Sequence, residues 1–433
     1  MVFTGRLPLL VLLGLVPVVL RPEGDTVRLW LLVVAVLYIA DLVMAPRTGR
    51  LAVSRQPIGT VRLGYDTESV LLVENASYAG GRRLRGVLRD AWQPTAGAAG
   101  NRHRIDLPPG DRVLLRTALT PRRRGDLQAL GVTVRLRGPL GLAARQKTLG
   151  VPGTVRSLPP FESRKHLPSR LARLRELDGR AAVRVRGQGT EFDSLREYVR
   201  GDDVRSIDWR ASARNRNVVV RTWQPERDRR VVLVLDTSRT SAGRVEDVPR
   251  LDSAMDAALL LAALAARAGD RIDFVAGDRR VRARLRSRGA RDVAANLQDT
   301  MADLEPVIAE ADWSALAGAV TQFGRQRALV VLLTPLEPSA VEEGLLPVLP
   351  SLTRHHRVVL ASVRDPELER LAATRGTIDE VYDAAAAEQA MVRRRHTAEL
   401  LRTVGVDVID ADAERLPPAL ADHYLTLKAN GLL

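Results

Sequence analysis

The sequence predicts a doubly wound α/β domain, preceded by a β-sandwich domain and, at the amino end, a two-helix membrane hairpin. Three observations predict it. Two apolar runs, 7–20 and 29–44, open the chain with only a charged turn between them. From 47 to 160, short β-branched and leucine-rich stretches are separated by Pro/Gly punctuation, with few helical repeats. From Val231 onward, continuous apolar strands alternate with Ala/Leu-rich helical stretches, the pattern of a parallel sheet covered on both faces. The segments that follow are 1–46, 47–160, a charged motif-bearing stretch at 161–230, and 231–433.

Each apolar run is shorter than the roughly 20 residues that a spanning helix needs, so both must borrow from their flanks. The turn between them reads Arg-Pro-Glu-Gly-Asp-Thr-Val-Arg over 21–28. Arg-Pro-Glu stands where a signal peptide would need small residues, which favours a retained hairpin over a cleaved leader. Arg6 precedes the first run, and Arg47, Arg50 and Arg55 follow the second. The positive-inside rule then puts both ends in the cytoplasm. Asp41 lies inside the second run, where a carboxylate is tolerable only near an interface or the end of a helix.

Charge is unevenly distributed within the net +15. Residues 47–160 hold 20 basic against 7 acidic residues, for +13, and 161–230 hold 18 against 11, for +7. Residues 231–433 hold 25 against 30, for −5, so the basic excess lies beside the hairpin, where anionic lipids attract arginine. No nucleic-acid-binding signature accompanies these arginines, and no nucleic-acid partner is expected. The chain has no cysteine, which excludes disulfides, thiolate nucleophiles and Cys-based zinc sites.

Within 47–160, strands are expected at 69–73, 84–88, 112–118 and 132–136. A helix is expected near 169–177. Beyond it, strands are expected at 231–235, 271–276, 281–285, 328–333, 357–363 and 406–409. The expected helices of this part are 251–266, 290–304, 314–324, 340–352 and 384–404. In such a sheet the ligand site lies at the carboxyl ends of the strands, where their order reverses.

Two motifs stand in 187–240. The first is Leu195-Arg196-Glu197-Tyr198, Gly201-Asp202-Asp203, Arg205, Ile207-Asp208-Trp209 and Ala213-Arg214. The second is a strand ending in Asp236-Thr-Ser238-Arg-Thr240, whose carboxylate and two hydroxyls on one turn are hard-oxygen donors of the kind that hold Mg²⁺. In the first motif every carboxylate has an arginine within a few residues, which favours interlocked ion pairs or a docking role over chemistry. The alternative is an acid/base or metal cluster acting on cell-envelope material. No phosphate-binding loop, zinc-protease helix or serine-nucleophile elbow occurs in the chain.

The first motif series resembles the bacterial family catalogued as domain of unknown function 58. That resemblance implies a von Willebrand A-like domain after the motif and a MoxR-type AAA+ ATPase as associate. It also implies a metal-ion-dependent adhesion site, in which Asp236, Ser238 and Thr240 match the first part. A Thr and a second Asp are expected from two later loops, but this sequence has Pro335, following Leu333-Thr334, in place of the Asp, and Asp312-Trp313-Ser314 in place of a clear Gly-Thr pair. Asp312, Ser314 or Glu337 is the nearby oxygen donor that would complete the site. The expected protein is a membrane-anchored interaction or assembly factor without catalytic residues, its arginine–carboxylate motif serving a structural or partner-binding role.

Overall fold

The computed structural model describes residues 2–77, 81–184, 191–214, 217–224, 229–287, 292–324 and 326–433. Gly187 to Thr190 in the motif stretch, and the start of the helix expected from Ala290, lie outside the described residues. The chain divides into two compact units, Met1–Leu158 and Pro159–Leu433.

In the first unit the apolar runs form helices Arg6–Leu13, Leu15–Leu20 and Gly24–Met44. The last has 21 residues, roughly 31 Å at 1.5 Å per residue, and it is the one helix among the described residues long and apolar enough to cross a membrane. The two arms lie side by side. Phe3 stacks near Tyr38, with ring centroids 5.3 Å apart, and further along the Trp30 indole lies against Gly14. A Cβ at Gly14 would sit 2.2 Å from that indole, so only glycine permits the approach.

Both arms start and finish at one turn of the sandwich. Val2–Phe3 pairs antiparallel with Ala143 and Ala144, and the Thr4 hydroxyl donates to the carbonyls of Gly141 and Leu142. From the other arm, the fully buried Asp41 accepts backbone N–H groups of Leu140, Leu142 and Ala143, each at 2.7 Å. The apolar run thus carries a carboxylate because that carboxylate closes a turn of another element, well beyond marking a helix end.

The sandwich that follows has two sheets. One runs Leu51–Arg55, Thr67–Asn75, Arg112–Leu119 and Ala98–Ala99; the other is built around Gly125–Arg137. Alternate residues face inward, as period-2 patterning requires, and Leu71, Val73 and Leu115 of one sheet meet Leu84, Leu88, Val132 and Val134 of the other. Arg55 departs from its expected place as a charge flanking the membrane span. It is buried, bidentate on buried Asp90 at 2.7 and 3.0 Å, and stacked over Trp92 at 4.7 Å. Burial disfavours the Asp90 carboxylate, but bonds from Arg55, Trp92 and Ser69 outweigh it and hold the carboxyl below the usual range.

The second unit holds a six-stranded sheet: β1 Arg230–Asp236, β2 Arg271–Gly277, β3 Val281–Arg286, β4 Leu329–Leu333, β5 Arg357–Val363 and β6 Val406–Ala411. Its order is β3-β2-β1-β4-β5-β6, all parallel except β3. Helices cover both faces. Val231, Leu233 and Leu235 pack under helices Arg250–Arg267 and Leu416–Ala429, whereas Val232 and Val234 pack under Trp313–Thr321 and the 341–352 region. Every residue of β1 is therefore buried, which is why it reads as an unbroken apolar run.

Three helical expectations differ in detail. The stretch 340–352 is a π-type turn at Ala340–Leu345 followed by a short helix at Leu349–Thr353. The helix expected at 384–404 starts earlier, at Ile378, because Thr377 and Glu380 form a capping box there. The helix near 169–177 extends over Leu167–Arg184, and Leu174 joins the α/β core, so the start of the motif-bearing stretch is packed structure. Ser163, just before it, donates through both N–H and hydroxyl to the Asp256 carboxylate on helix Arg250–Arg267.

Candidate functional site

The order β3-β2-β1-β4-β5-β6 reverses direction between β1 and β4, so their carboxyl ends splay apart and leave a crevice. Asp236 is the last residue of β1, and Thr334 directly follows β4. The Thr334 hydroxyl donates to Asp236 Oδ2 at 2.7 Å, and the Thr240 hydroxyl donates to the same oxygen at 3.1 Å. Asp236 Oδ1 accepts the Ser238 N–H at 2.7 Å, and the Ser238 and Thr240 hydroxyls lie 3.0 Å apart. All four residues are buried. Burial pushes the Asp236 carboxyl above the ordinary carboxylate range, against the bonds from Thr334, Ser238 and Thr240 that lower it.

These residues form the floor of a pocket of about 200 Å³, also lined by Arg239, Glu310, Trp313 and Glu343. Arg239 pairs with Glu310 at the rim. Backbone bonds from Arg239 N–H to Ala309 and from Val307 N–H to Thr237 lay the 307–310 loop against the end of β1. Thr237 points the other way, donating to Asp278, whose carboxyl is disfavoured by burial yet held below the usual range by Arg282 and Thr237.

Three of the oxygen donors considered from sequence lie elsewhere. Asp312 accepts the Ala315 N–H as the cap of helix Trp313–Thr321, Ser314 is exposed on that helix, and Glu337 does not line the pocket. Beside Asp236, the acids at the pocket are Glu310 and Glu343, and a third hydroxyl on Asp236 comes from Thr334. Its sequence signal was a hydroxyl residue directly after the wholly apolar strand Leu329–Leu333.

In donor type this set fits a hard divalent cation: one carboxylate and three hydroxyls of Ser238, Thr240 and Thr334 in a pocket open on one side. In charge it is incomplete. Among the described residues no group of three or more His, Cys, Asp or Glu side chains is placed to hold a metal. A cation bound here would draw its remaining negative charge from outside the cluster.

The arginine–carboxylate motif forms a separate structure, a two-stranded antiparallel hairpin of Glu191–Glu197 and Val219–Gln224 with compact turns between. Arg196 holds Asp202 bidentately at 2.6 and 2.8 Å, and Asp202 also accepts the Val199 N–H. Gly201 turns the chain with φ 116°, in the region where other residues are strained. Asp203 caps the 204–206 turn through the Arg205 N–H, and Asp208 caps helix Trp209–Ser212 through the Ala211 N–H. Glu197 accepts from Asn217.

The ion pair to Asp208 comes from Arg221 across the hairpin, at 2.7 Å, and the neighbouring Arg205 and Arg210 do not supply it. Arg221 was missed because its partner lies 13 positions away, and the antiparallel bridge between Ile207 and Val220 brings them together. The Asp202 carboxyl is lowered chiefly by Arg196, and that of Asp208 chiefly by the Ala211 N–H. Tyr198 is half-buried, its N–H donating to the Val218 carbonyl. Trp209, Arg205 and Arg214 are exposed. The motif's four carboxylates are thus occupied as caps and pairs, and they do not converge on one point.

The fold and site define a mixed α/β protein with a buried hydroxyl–carboxylate cluster at the switch point of its sheet and an apolar helix near its amino end. Residues 194–417, 224 of the 433, match the family described as protein of unknown function DUF58, and the chain belongs to that family. No curated protein matches the chain. Among solved structures it is similar to the conserved hypothetical protein BatB from Bacteroides thetaiotaomicron, with 12% identity over 46% of this chain and 98% of that one, at a TM-score of 0.29. A second is the CARDB domain of a Pyrococcus furiosus protein in complex with di-metal ions, with 16% identity over 25% of this chain and 87% of that one, at a TM-score of 0.18.

Proposed function

We propose that this protein is a membrane-anchored interaction or assembly factor. Its α/β unit acts as a von Willebrand A-like domain, and its partner is a MoxR-type AAA+ ATPase engaged at the Asp236 pocket. The observation that carries the reading is the convergence of Ser238, Thr240 and Thr334 on Asp236 at the switch point.

Mg²⁺ is the cation that these donors suit, with Asp236, Ser238 and Thr240 as its ligands and Thr334 beside them. When bound, it supplies a positive centre to which a partner's carboxylate adds the missing charge. The chain's own residues set the geometry: the Ser238 N–H fixes one Asp236 oxygen, the threonines fix the other, and the Arg239–Glu310 pair shapes the rim. With one carboxylate in the set, Mg²⁺ binding to the isolated protein is weak, about millimolar, on the scale of poorly charged hard-cation sites.

The same reading places both arms of the amino-terminal hairpin in the membrane and the two units in the cytoplasm. It is supported by the return of Thr4 and Asp41 to one turn and by the +13 excess of 47–160. The test is capture of the ATPase from native membranes by the full chain. Retention should require Mg²⁺ and be lost with Asp236→Ala. Equal retention by Asp236→Ala, or in a chelator, would refute the pocket as the docking site.

A further inference from the structure

In the hairpin of Glu191–Glu197 and Val219–Gln224, Asp202 and Asp208 are part-buried and paired with arginines, whereas Glu197, Asp203 and several arginines are exposed. Asp202, Asp203, Asp208 and Glu197 are each held by an N–H or guanidinium of the hairpin itself. Arg200, Arg205 and Arg210 are exposed and make no side-chain ion pair among the described residues. Interleaved with them, Val199 and Val204 are each 62% exposed and Trp209 is 69% exposed. Three exposed cations and three exposed apolar side chains therefore alternate along one short stretch, in which Asp202 and Asp208 already have their own arginine partners.

We propose that this face seats on an anionic lipid surface. Arg200, Arg205 and Arg210 would meet headgroup phosphates, and Val199, Val204 and Trp209 would enter the boundary between headgroups and acyl chains. Tryptophan favours that boundary because its ring is apolar and its N–H is polar. Arginine near an anionic leaflet gains electrostatically, and aliphatic side chains gain by leaving water. A nucleic acid would satisfy the arginines and stack on Trp209, but it offers the two valines nothing. The chain also carries Gly24–Met44, long and apolar enough to span a bilayer. This face is separate from the Asp236 pocket, and the inference does not depend on the ATPase reading.

The test uses the full chain, which has no cysteine, so Val204→Cys provides a unique attachment point for an environment-sensitive NBD fluorophore. The labelled protein is reconstituted in nanodiscs of phosphatidylcholine alone or mixed with phosphatidylglycerol. Emission should shift to the blue in the anionic discs only, and about 0.5 M NaCl should reverse the shift by screening. Each basic contact is worth about fivefold, so replacing all three arginines by glutamate should weaken seating at least about 100-fold and abolish the shift. Replacing them by lysine should preserve it, and circular dichroism checks that both variants fold. A label at Ile308→Cys, 89% exposed and outside the face, should stay silent. An equal shift in both discs, no shift in either, an equal response from position 308, or a response only to added polyglutamate or RNA would each overturn the proposal.

Discussion

Asp41 offers the sharpest test of the structure, because a helix long and apolar enough to cross a membrane should not carry a buried carboxylate without a reason. Its Oδ2 accepts the N–H groups of Leu142 and Ala143, and its Oδ1 accepts that of Leu140, each at 2.7 Å. Asp41→Asn keeps one acceptor oxygen. With that oxygen on the Leu142 and Ala143 side, the amide group faces the Leu140 N–H, donor against donor. One part-buried N–H then loses its partner, at about 1–3 kcal/mol, and the remaining bonds lose the strength of a charged acceptor. We expect a total of about 2–4 kcal/mol, and more for Asp41→Ala, which strands all three N–H groups.

The assay is hydrogen exchange of the full chain in detergent. Amides of Leu140, Leu142 and Ala143 should exchange about 30- to 1,000-fold faster in Asp41→Asn, the range equivalent to that cost at 1.4 kcal/mol per decade. Those of the opposite sheet, such as Leu71, should not change. Asp25→Asn is the control, since Asp25 is exposed. Unchanged exchange at 140–143 in Asp41→Asn would show that the carboxylate does not hold the hairpin to the sandwich.

Other outcomes follow from buried polar groups. Arg55→Met should destabilise the first unit by about 3–5 kcal/mol in thermal or denaturant unfolding, because it leaves Asp90 buried without its guanidinium; a loss under 1 kcal/mol would contradict the pair's role. Asp256 is pushed by burial from 3.8 to about 6, so its contribution to stability is complete below the unfolded value and is lost as pH rises through about 6. That amounts to at most about 3 kcal/mol, and Asp256→Asn should flatten the stability profile of the second unit between about pH 4 and 7; an unchanged slope would place the titration elsewhere. Thr334→Val should cost about 1–2 kcal/mol by removing the shorter hydroxyl bond to Asp236. It should also weaken calorimetric Mg²⁺ binding, whereas unaltered binding would separate Thr334 from the cation site.

Much of this protein was legible in its residues because burial writes directly into hydrophobic pattern. β1 reads as an unbroken apolar run because both of its faces are covered by helices, and the sandwich strands alternate because only one face of each sheet meets the core. The position of Asp236 followed from the same logic, since the end of a buried parallel strand is where a polar side chain first becomes useful. What the sequence could not contain was partnership at long range. Thr334 reaches Asp236 from 98 positions away only because β4 lies beside β1, and Arg55 meets Asp90 across the sandwich. Arg221 takes Asp208 ahead of arginines much closer in sequence, because the bridge between Ile207 and Val220 lays the two residues side by side. Asp41, a liability by composition, is satisfied by a turn about 100 residues on. Periodicity reports which face of an element is buried. Which polar group waits on the other side of that face is decided by strand order and register, and these exist only once the chain has folded.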